Sequence, residues 1–85
     1  MQATQQVEYK DTVEFNGWFN WDTWNVALWL DNDPYYASMV KLCRSYAEFL
    51  VMLTTQELKQ GTPDGGEWNQ ADHKELNVHL WGWEE

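Results

Sequence analysis

Apolar residues recur at helical spacing in the segment NWDTWNVALWLDND, residues 20–33. Asn20 belongs to the residue types that cap helix N-termini, and Trp21, Trp24 and Leu28 follow on one stripe at i, i+3 and i+7. The other apolar positions, which spread around most of the circumference, are Val26, Ala27, Trp29 and Leu30. The pattern predicts a helix over about 20–31 that lies either at the centre of the fold or against both the core and a partner.

A second amphipathic stretch follows the Asp33-Pro34 pair, which reads as a cap and a first helical residue. Its apolar stripe consists of Tyr36, Met39, Val40, Cys43, Tyr46, Ala47, Leu50 and Leu53. This spacing predicts one helix over 34–53. Thr54-x-x-Glu57 resembles a capping box, so the helix either extends or restarts as far as residue 60. The following GTPDGG, residues 61–66, predicts a loop.

The two ends of the chain leave alternatives open. Asp72, with Glu75 three residues later, favours a helix over 72–81, whereas the alternation of Leu76, Val78 and Leu80 is also typical of a strand. Residues 1–6 are polar and predicted to be loose. Alternation from Val7 to Phe15, before the turn dipeptide Asn16-Gly17, indicates a short β hairpin or an extended arm.

These elements predict a single small acidic domain over 7–85, mainly α, built as a bundle of about three helices. The alternative is an α+β fold in which strands from the two ends of the chain pair with each other. Eighty-five residues are near the lower limit for a domain that folds without disulfides, metals or a partner.

Tryptophan is abundant for so short a chain, with seven residues. Seven large rings are hard to bury in so small an interior, and tryptophan is enriched at binding hot spots. The three on the first predicted helix are expected to be mostly architectural. The four in or beside less regular segments are the better candidates for exposure: Trp18, Trp68, Trp81 and Trp83.

The net charge of the chain limits the classes of macromolecule that it can bind. Fourteen acidic residues against five basic ones give a formal net charge of −9. Such a surface repels phosphate backbones and anionic lipid, so direct binding to nucleic acid or a membrane is not expected. It attracts basic protein surfaces, including those that hold nucleic acid. Solubility alone is the competing explanation of the charge.

The single cysteine, Cys43, excludes an intramolecular disulfide and indicates a reducing compartment, the cytoplasm. The N-terminal residues lack the features of a signal peptide, and no apolar stretch is long enough to span a bilayer. Cys43 lies on the apolar stripe of its helix, so we expect a core residue and not a nucleophile.

No metal, cofactor or catalytic site is expected. His73 and His79 are six residues apart, with no Cys or His partner at zinc-ligand spacing. Asp31-Asn32-Asp33 begins like a calcium loop, but Tyr36 replaces the required glycine and Leu42 the bidentate glutamate. No nucleophile elbow or phosphate-binding glycine loop is present.

The segment of residues 20–33 resembles the N-Y-x-T-W-N-V-A-L-W-(I/L)-x-N-D signature of a family of small uncharacterised proteins in bacteria, archaea and their phages and plasmids. Thr62-Pro63-Asp64-Gly65 followed by Trp68-Asn69 is similar to a second piece of that pattern. Trp21 stands where a tyrosine is more usual, and the ending LNVHLWGWEE departs from a regular helical tail. The resemblance implies no activity, only a mobile-element setting in which small acidic proteins often disable host enzymes or defence systems.

The leading hypothesis is therefore a non-catalytic inhibitor that blocks the basic, nucleic-acid-binding surface of a host protein, such as a CRISPR effector, a restriction enzyme or RNA polymerase. The alternatives are a structural or self-assembling homodimer and, third, a small-ligand or enzyme role that uses an aromatic pocket. The candidate partner-binding residues are acids and tryptophans outside the predicted core: Glu8, Asp11, Glu14, Trp18, Asp31, Asp33, Asp64, Glu67, Trp68, Trp81, Trp83, Glu84 and Glu85.

Overall fold

Five α-helices and one short 3-10 helix make up the regular structure of residues 14–84, the part of the chain that the computed structural model describes. They are α1 (Trp21–Asn32), α2 (Pro34–Lys41), α3 (Tyr46–Met52), α4 (Thr55–Gln60), the 3-10 helix (Trp68–Gln70) and α5 (His73–Trp81). The prediction of a mainly α fold is confirmed, and none of the described residues forms a β-strand. No helix within residues 14–84 is long and apolar enough to cross a membrane.

Side-chain caps begin the helices at the positions that the sequence predicts. The Asn20 side chain accepts a hydrogen bond from the Thr23 backbone N–H, and that of Asp33 accepts from the first turn of α2. Thr54 and Glu57 form the predicted capping box, and Asp72 caps α5. Each cap satisfies amide groups that have no partner inside their own helix, so the N-termini can be read from local sequence.

The predicted continuous helix over 34–53 is wrong in one respect, because it is interrupted between Lys41 and Tyr46. Ser45 is extended there, and its hydroxyl accepts a hydrogen bond from the Glu48 backbone N–H. The Glu48 carboxylate in turn accepts from the Arg44 backbone N–H at 2.7 Å. Ser45-x-x-Glu48 is thus a helix start signal that the uninterrupted apolar stripe concealed.

The core lies where α1, α2, α3, the 3-10 helix and α5 meet. Its largest side chains are aromatic: the Phe49 ring lies 5.9 Å from that of Tyr46 and 5.7 Å from that of Trp68, centroid to centroid. The Tyr46 hydroxyl donates to the Trp68 carbonyl at 2.7 Å, and burial is the main cause that raises its pKa. The aliphatic part of the core comes mainly from Val26, Leu30, Met39, Leu53 and Leu76. Burying each such side chain contributes about 1.5–3 kcal/mol.

α1 buries polar side chains, and its stripe of Trp21, Trp24 and Leu28 does not form the buried side of the helix. Leu28 is exposed and the two tryptophans are half-buried, whereas Asp22 and Asn25 are fully buried. The physical reason is the segment of residues 61–72, which packs against α1 with few backbone partners of its own. Polar side chains of α1 supply those partners, because buried backbone groups must be hydrogen-bonded.

Hydrogen bonds join α1 to several points along the segment of residues 61–72. Thr62 donates its hydroxyl to the Asn25 Oδ1, and the Glu67 backbone N–H donates to the Asp22 carboxylate at 3.0 Å. The Asp72 backbone N–H donates to the Thr23 hydroxyl at 2.8 Å. We call this set of contacts, with the Asn20 side-chain bond to the Gln70 carbonyl, the loop clasp.

The two ends of the described chain resolve some of the open alternatives. The helix predicted over 72–81 is confirmed, which removes the C-terminal strand of the α+β alternative. The predicted turn at Asn16-Gly17 is also confirmed: Phe15 and Trp18 exchange both backbone hydrogen bonds, at 2.8 and 2.7 Å. Both turn residues have positive φ, 49° and 86°, as a tight hairpin turn requires. The rest of the predicted arm, residues 7–13, lies outside the described residues.

Candidate binding surface

The tight turn before α1 places aromatic rings on the outside of α1 and α5. The Phe15 ring lies 5.0 Å from that of Trp24, and Trp18 meets the His79 ring edge-on at 5.0 Å. The Phe19 backbone N–H donates to the Glu75 carboxylate at 2.8 Å. The turn is therefore held between the two helices, and Trp18 is left half-buried between them.

Trp18 is the shared wall of two shallow clefts. The first, of about 250 Å³, is lined by Gly17, Trp18, Glu75, Val78 and His79. The second, of about 130 Å³, is lined by Trp18, Trp24, Ala27, Leu28, Asp31 and Asn32. Both are smaller than the roughly 300–1,000 Å³ of small-molecule sites. Their size suits single side chains of a macromolecular partner better than a cofactor or a drug-sized ligand.

A carboxylate borders each cleft. Asp31 Oδ2 lies 2.6 Å from His79 Nε2, and both side chains are substantially exposed. Glu75 accepts from Phe19, as described above, and keeps its second oxygen for other donors. An aromatic face next to carboxylates is an arrangement that attracts Arg and Lys side chains. We name this surface the acidic–aromatic face and define it as Trp18, Trp24, Leu28, Asp31, Glu75 and His79.

Of the predicted partner-binding residues within 14–84, only Trp18 and Asp31 come together on this face. Trp68 was predicted as an exposed ring, and that prediction is wrong. Its side chain is 1% exposed and its indole N–H donates to the Glu57 carbonyl at 2.9 Å. Trp68 follows a glycine-rich loop, which suggested exposure, but the loop folds back over the core and carries the ring inside.

The remaining predicted tryptophans lie at the end of α5. Trp81 is half-buried and its indole N–H donates to the Val40 carbonyl at 3.1 Å. Trp83 is half-exposed and donates to the Arg44 carbonyl at 3.0 Å. Both rings therefore lie on the α2–α3 side of α5, away from the residues of α5 that line the first cleft.

The predicted acids are dispersed. Asp33 caps α2, and Asp64 accepts hydrogen bonds at 2.9 Å from the side chains of Asn25 and Trp29. These two bonds hold the pKa of Asp64 below its ordinary value. Glu14, Glu67 and Glu84 are exposed. Glu8, Asp11 and Glu85 lie outside the described residues.

Sequence reasoning missed Glu75 and His79 as members of a surface. Their spacing of i and i+4 places them on one side of α5, which was a usable signal. Glu75 was considered only as a capping residue and His79 only as a zinc ligand. The proximity of His79 to Asp31, 48 positions earlier, has no signal in the sequence.

Two observations bear on metal binding and on the reactivity of Cys43. Within 14–84, no group of three or more His, Cys, Asp or Glu side chains is arranged to hold a metal ion. Cys43 is buried beside Met52, and burial, followed by the charge of Glu48, raises the pKa of its thiol. A thiol with a raised pKa is a poorer nucleophile at neutral pH.

Comparison with known proteins places the chain in a family. The chain belongs to a family of unknown function, DUF7249, whose model matches residues 11–84. The expectation of membership in an uncharacterised family is confirmed in that general form. No curated protein and no solved structure matches the chain.

Proposed function

We propose that this chain is a non-catalytic macromolecule-binding protein that blocks a basic, nucleic-acid-binding surface of a host protein, and that the acidic–aromatic face is its principal contact. The observation that carries the proposal is the position of Trp18. It is a partly exposed ring between two clefts that each hold a carboxylate.

Charge supports a basic partner. Besides Asp31, the exposed carboxylates of the described chain are Glu14, Glu48, Asp64, Glu67 and Glu84. Together with the net charge of −9, they favour approach to a positively charged surface and disfavour direct contact with DNA, RNA or anionic lipid. Surfaces that bind nucleic acid are rich in Arg and Lys. A protein of this charge therefore competes with nucleic acid for such a surface.

Aromatic anchoring supports a specific complex over a loose ionic one. A guanidinium stacked on Trp18 gains from cation–π attraction as well as from the neighbouring carboxylate, and the indole excludes water from both contacts. Leu28 and Val78 line the two clefts and would contact the aliphatic part of an inserted Arg or Lys. The interaction would thus combine a desolvated anchor with a charged rim.

The partner class follows from the mobile-element setting that the resemblance implies. A phage or plasmid benefits from blocking certain basic protein surfaces in the cytoplasm of its bacterial host. These surfaces belong to CRISPR effectors, restriction enzymes and RNA polymerase. We propose inhibition of one of these classes, with no cofactor and no catalytic step.

The test uses purified representatives of the three classes and measures their affinity for this chain by biolayer interferometry. Glu75→Gln removes a charge from the acidic–aromatic face but keeps an oxygen that can accept from Phe19. Glu67→Gln is the matched control, because it removes the same charge from an exposed side chain that lies outside this face. We expect Glu75→Gln, and more strongly Trp18→Ala, to weaken binding while Glu67→Gln has little effect.

Binding should also weaken with added salt and be displaced by duplex DNA or RNA. A complex whose affinity is independent of salt, or one that accommodates nucleic acid at the same time, would show that charge mimicry is wrong. Equal losses of affinity in Glu75→Gln and Glu67→Gln would place the contact elsewhere.

A further inference from the structure

Exposed apolar side chains are concentrated at the interruption between α2 and α3. Of the seven large apolar side chains that are exposed between residues 14 and 84, four lie in the interruption, on the α3 helix that follows it or against it. They are Leu42 (76% exposed), Val51 (84%), Met52 (42%) and Trp83 (50%). Apolar side chains that gather in one place, and are not scattered singly, are typical of an interaction surface.

Two contacts, chain adjacency and helical spacing bring these residues to the same part of the surface. Met52 Sδ lies 3.2 Å from the Sγ of Cys43, next to Leu42 in the chain. The Trp83 indole N–H donates to the Arg44 carbonyl, which places the ring over the same turn. On α3, Val51 and Met52 share a side with Glu48 because the spacings are i+3 and i+4. We call the surface formed by Leu42, Arg44, Glu48, Val51, Met52 and Trp83 the break patch.

The break patch is electrically balanced in a chain that is otherwise strongly acidic. Lys41 and Arg44, which flank Leu42 and Cys43 in the chain, are exposed. Glu48, which accepts from the Arg44 backbone N–H, and Glu84, next to Trp83 in the chain, are exposed as well. The other described residues carry nine carboxylates and only two lysines. Two copies of this protein would repel each other across most of their surface, and the break patch is where that repulsion is locally absent.

We propose that a second copy of this chain covers the break patch, as a two-fold symmetric dimer. In a two-fold interface each patch meets itself, so a surface that carries both signs is self-complementary. Arg44 of one protomer can then face Glu48 or Glu84 of its partner, while Leu42 and Val51 of both leave water. A strongly charged partner, whether basic or acidic, gains little electrostatic attraction from a balanced patch.

The dimer is compatible with the proposed function but does not depend on it. α5 directs Asn77 and Trp81 towards α2 and α3, since they bond to Tyr46 and Val40. The residues of α5 that line the first Trp18 cleft, Glu75, Val78 and His79, are different ones. Pairing through the break patch therefore leaves the acidic–aromatic face accessible on each protomer.

The experiment is sedimentation velocity of the full chain over a concentration series. Val51→Glu places a carboxylate at a side chain that contacts mostly solvent in the protomer, so folding should be unaffected. Gln56→Glu, on α4, is the matched control because it adds the same charge at an exposed helical position outside the break patch. We expect the parent chain and Gln56→Glu to dimerise, and Val51→Glu to dimerise about tenfold or more weakly.

A parent chain that remains monomeric at about 1 mM, where even very weak specific association is detectable, overturns the proposal. A dimer that Val51→Glu does not weaken also overturns it, because association would then use another surface. Circular dichroism checks that each variant is folded. Should Val51→Glu fail that check, Leu42→Ser, at another largely exposed position, provides the same comparison.

Discussion

The Asn25 side chain is the most informative position at which to test the loop clasp. It is fully buried, accepts from the Thr62 hydroxyl and donates to the Asp64 carboxylate at 2.9 Å. Asn25→Ala removes both bonds. Thr62, which is itself buried, then loses a hydrogen-bond partner that water cannot easily replace. Asp64 is exposed, so water replaces its lost donor at little cost.

The expected loss is dominated by the buried Thr62 hydroxyl. An unsatisfied buried polar group costs about 1–3 kcal/mol. The exposed bond to Asp64 contributes a smaller amount, because water replaces the lost donor. We therefore expect Asn25→Ala to lower the free energy of unfolding by about 1–3 kcal/mol. Against a typical total of about 5–15 kcal/mol, such a loss is large.

The assay is urea unfolding followed by tryptophan fluorescence and circular dichroism. The matched control is Asn32→Ala on the same helix, where an exposed side chain donates to the Leu28 carbonyl at 2.8 Å. That substitution should cost no more than about 0.5 kcal/mol. If Asn25→Ala were no more destabilising than Asn32→Ala, the loop clasp would not contribute to stability in the way described.

Two further substitutions test the same region. Gly66→Ala should lower the free energy of unfolding in urea by about 1–3 kcal/mol, because an added Cβ would lie 2.7 Å from Asn25 Oδ1. An unchanged urea midpoint of unfolding would mean that the loop clasp can shift to accommodate the added methyl group. Asp64 has a pKa below its ordinary value in the folded chain, so its stabilising contribution is complete above the unfolded pKa of about 3.9 and is lost as the pH falls through the lower folded value. Asp64→Asn should therefore flatten the acid limb of the stability profile, and an identical limb in both proteins would contradict that assignment.

The loop clasp gives a structural meaning to the residues that carry the resemblance. Asn20, Thr23 and Asn25 lie in the first segment that resembles the family signature, and Thr62 and Asp64 lie in the second. The two pieces, far apart in the chain, meet at the clasp through Asn25. These residues therefore hold the fold together. The acidic–aromatic face shares Trp24 and Leu28 with the pattern, whereas Trp18, Glu75 and His79 lie outside it.

Charge patterning could indicate the kind of surface but not its location. The net charge of −9 and the surplus of tryptophans both follow from the sequence. Which rings reach solvent depends on how the segment of residues 61–72 returns over the core. That return buries Trp68 and leaves Trp18 at the surface, although both adjoin irregular segments.

The sequence by itself determined the features that depend on neighbouring residues. The caps at Asn20, Asp33 and Thr54, the turn at Asn16-Gly17 and the helical C-terminal segment all follow from interactions within a few positions, where propensity and local hydrogen bonds dominate. The interruption before α3 also has a local signal, Ser45-x-x-Glu48, although the longer apolar stripe concealed it.

Only the tertiary structure decided which side of α1 faces inward and which surface Trp18 shares with Asp31 and His79. A helix that is apolar nearly all round has no preferred side by periodicity alone. The buried side of α1 is the one that carries Asp22 and Asn25, because the segment of residues 61–72 packs there with backbone and side-chain groups that need hydrogen-bond partners. Satisfying those buried groups outweighed burying Leu28, and the exposed aromatic surface is the consequence.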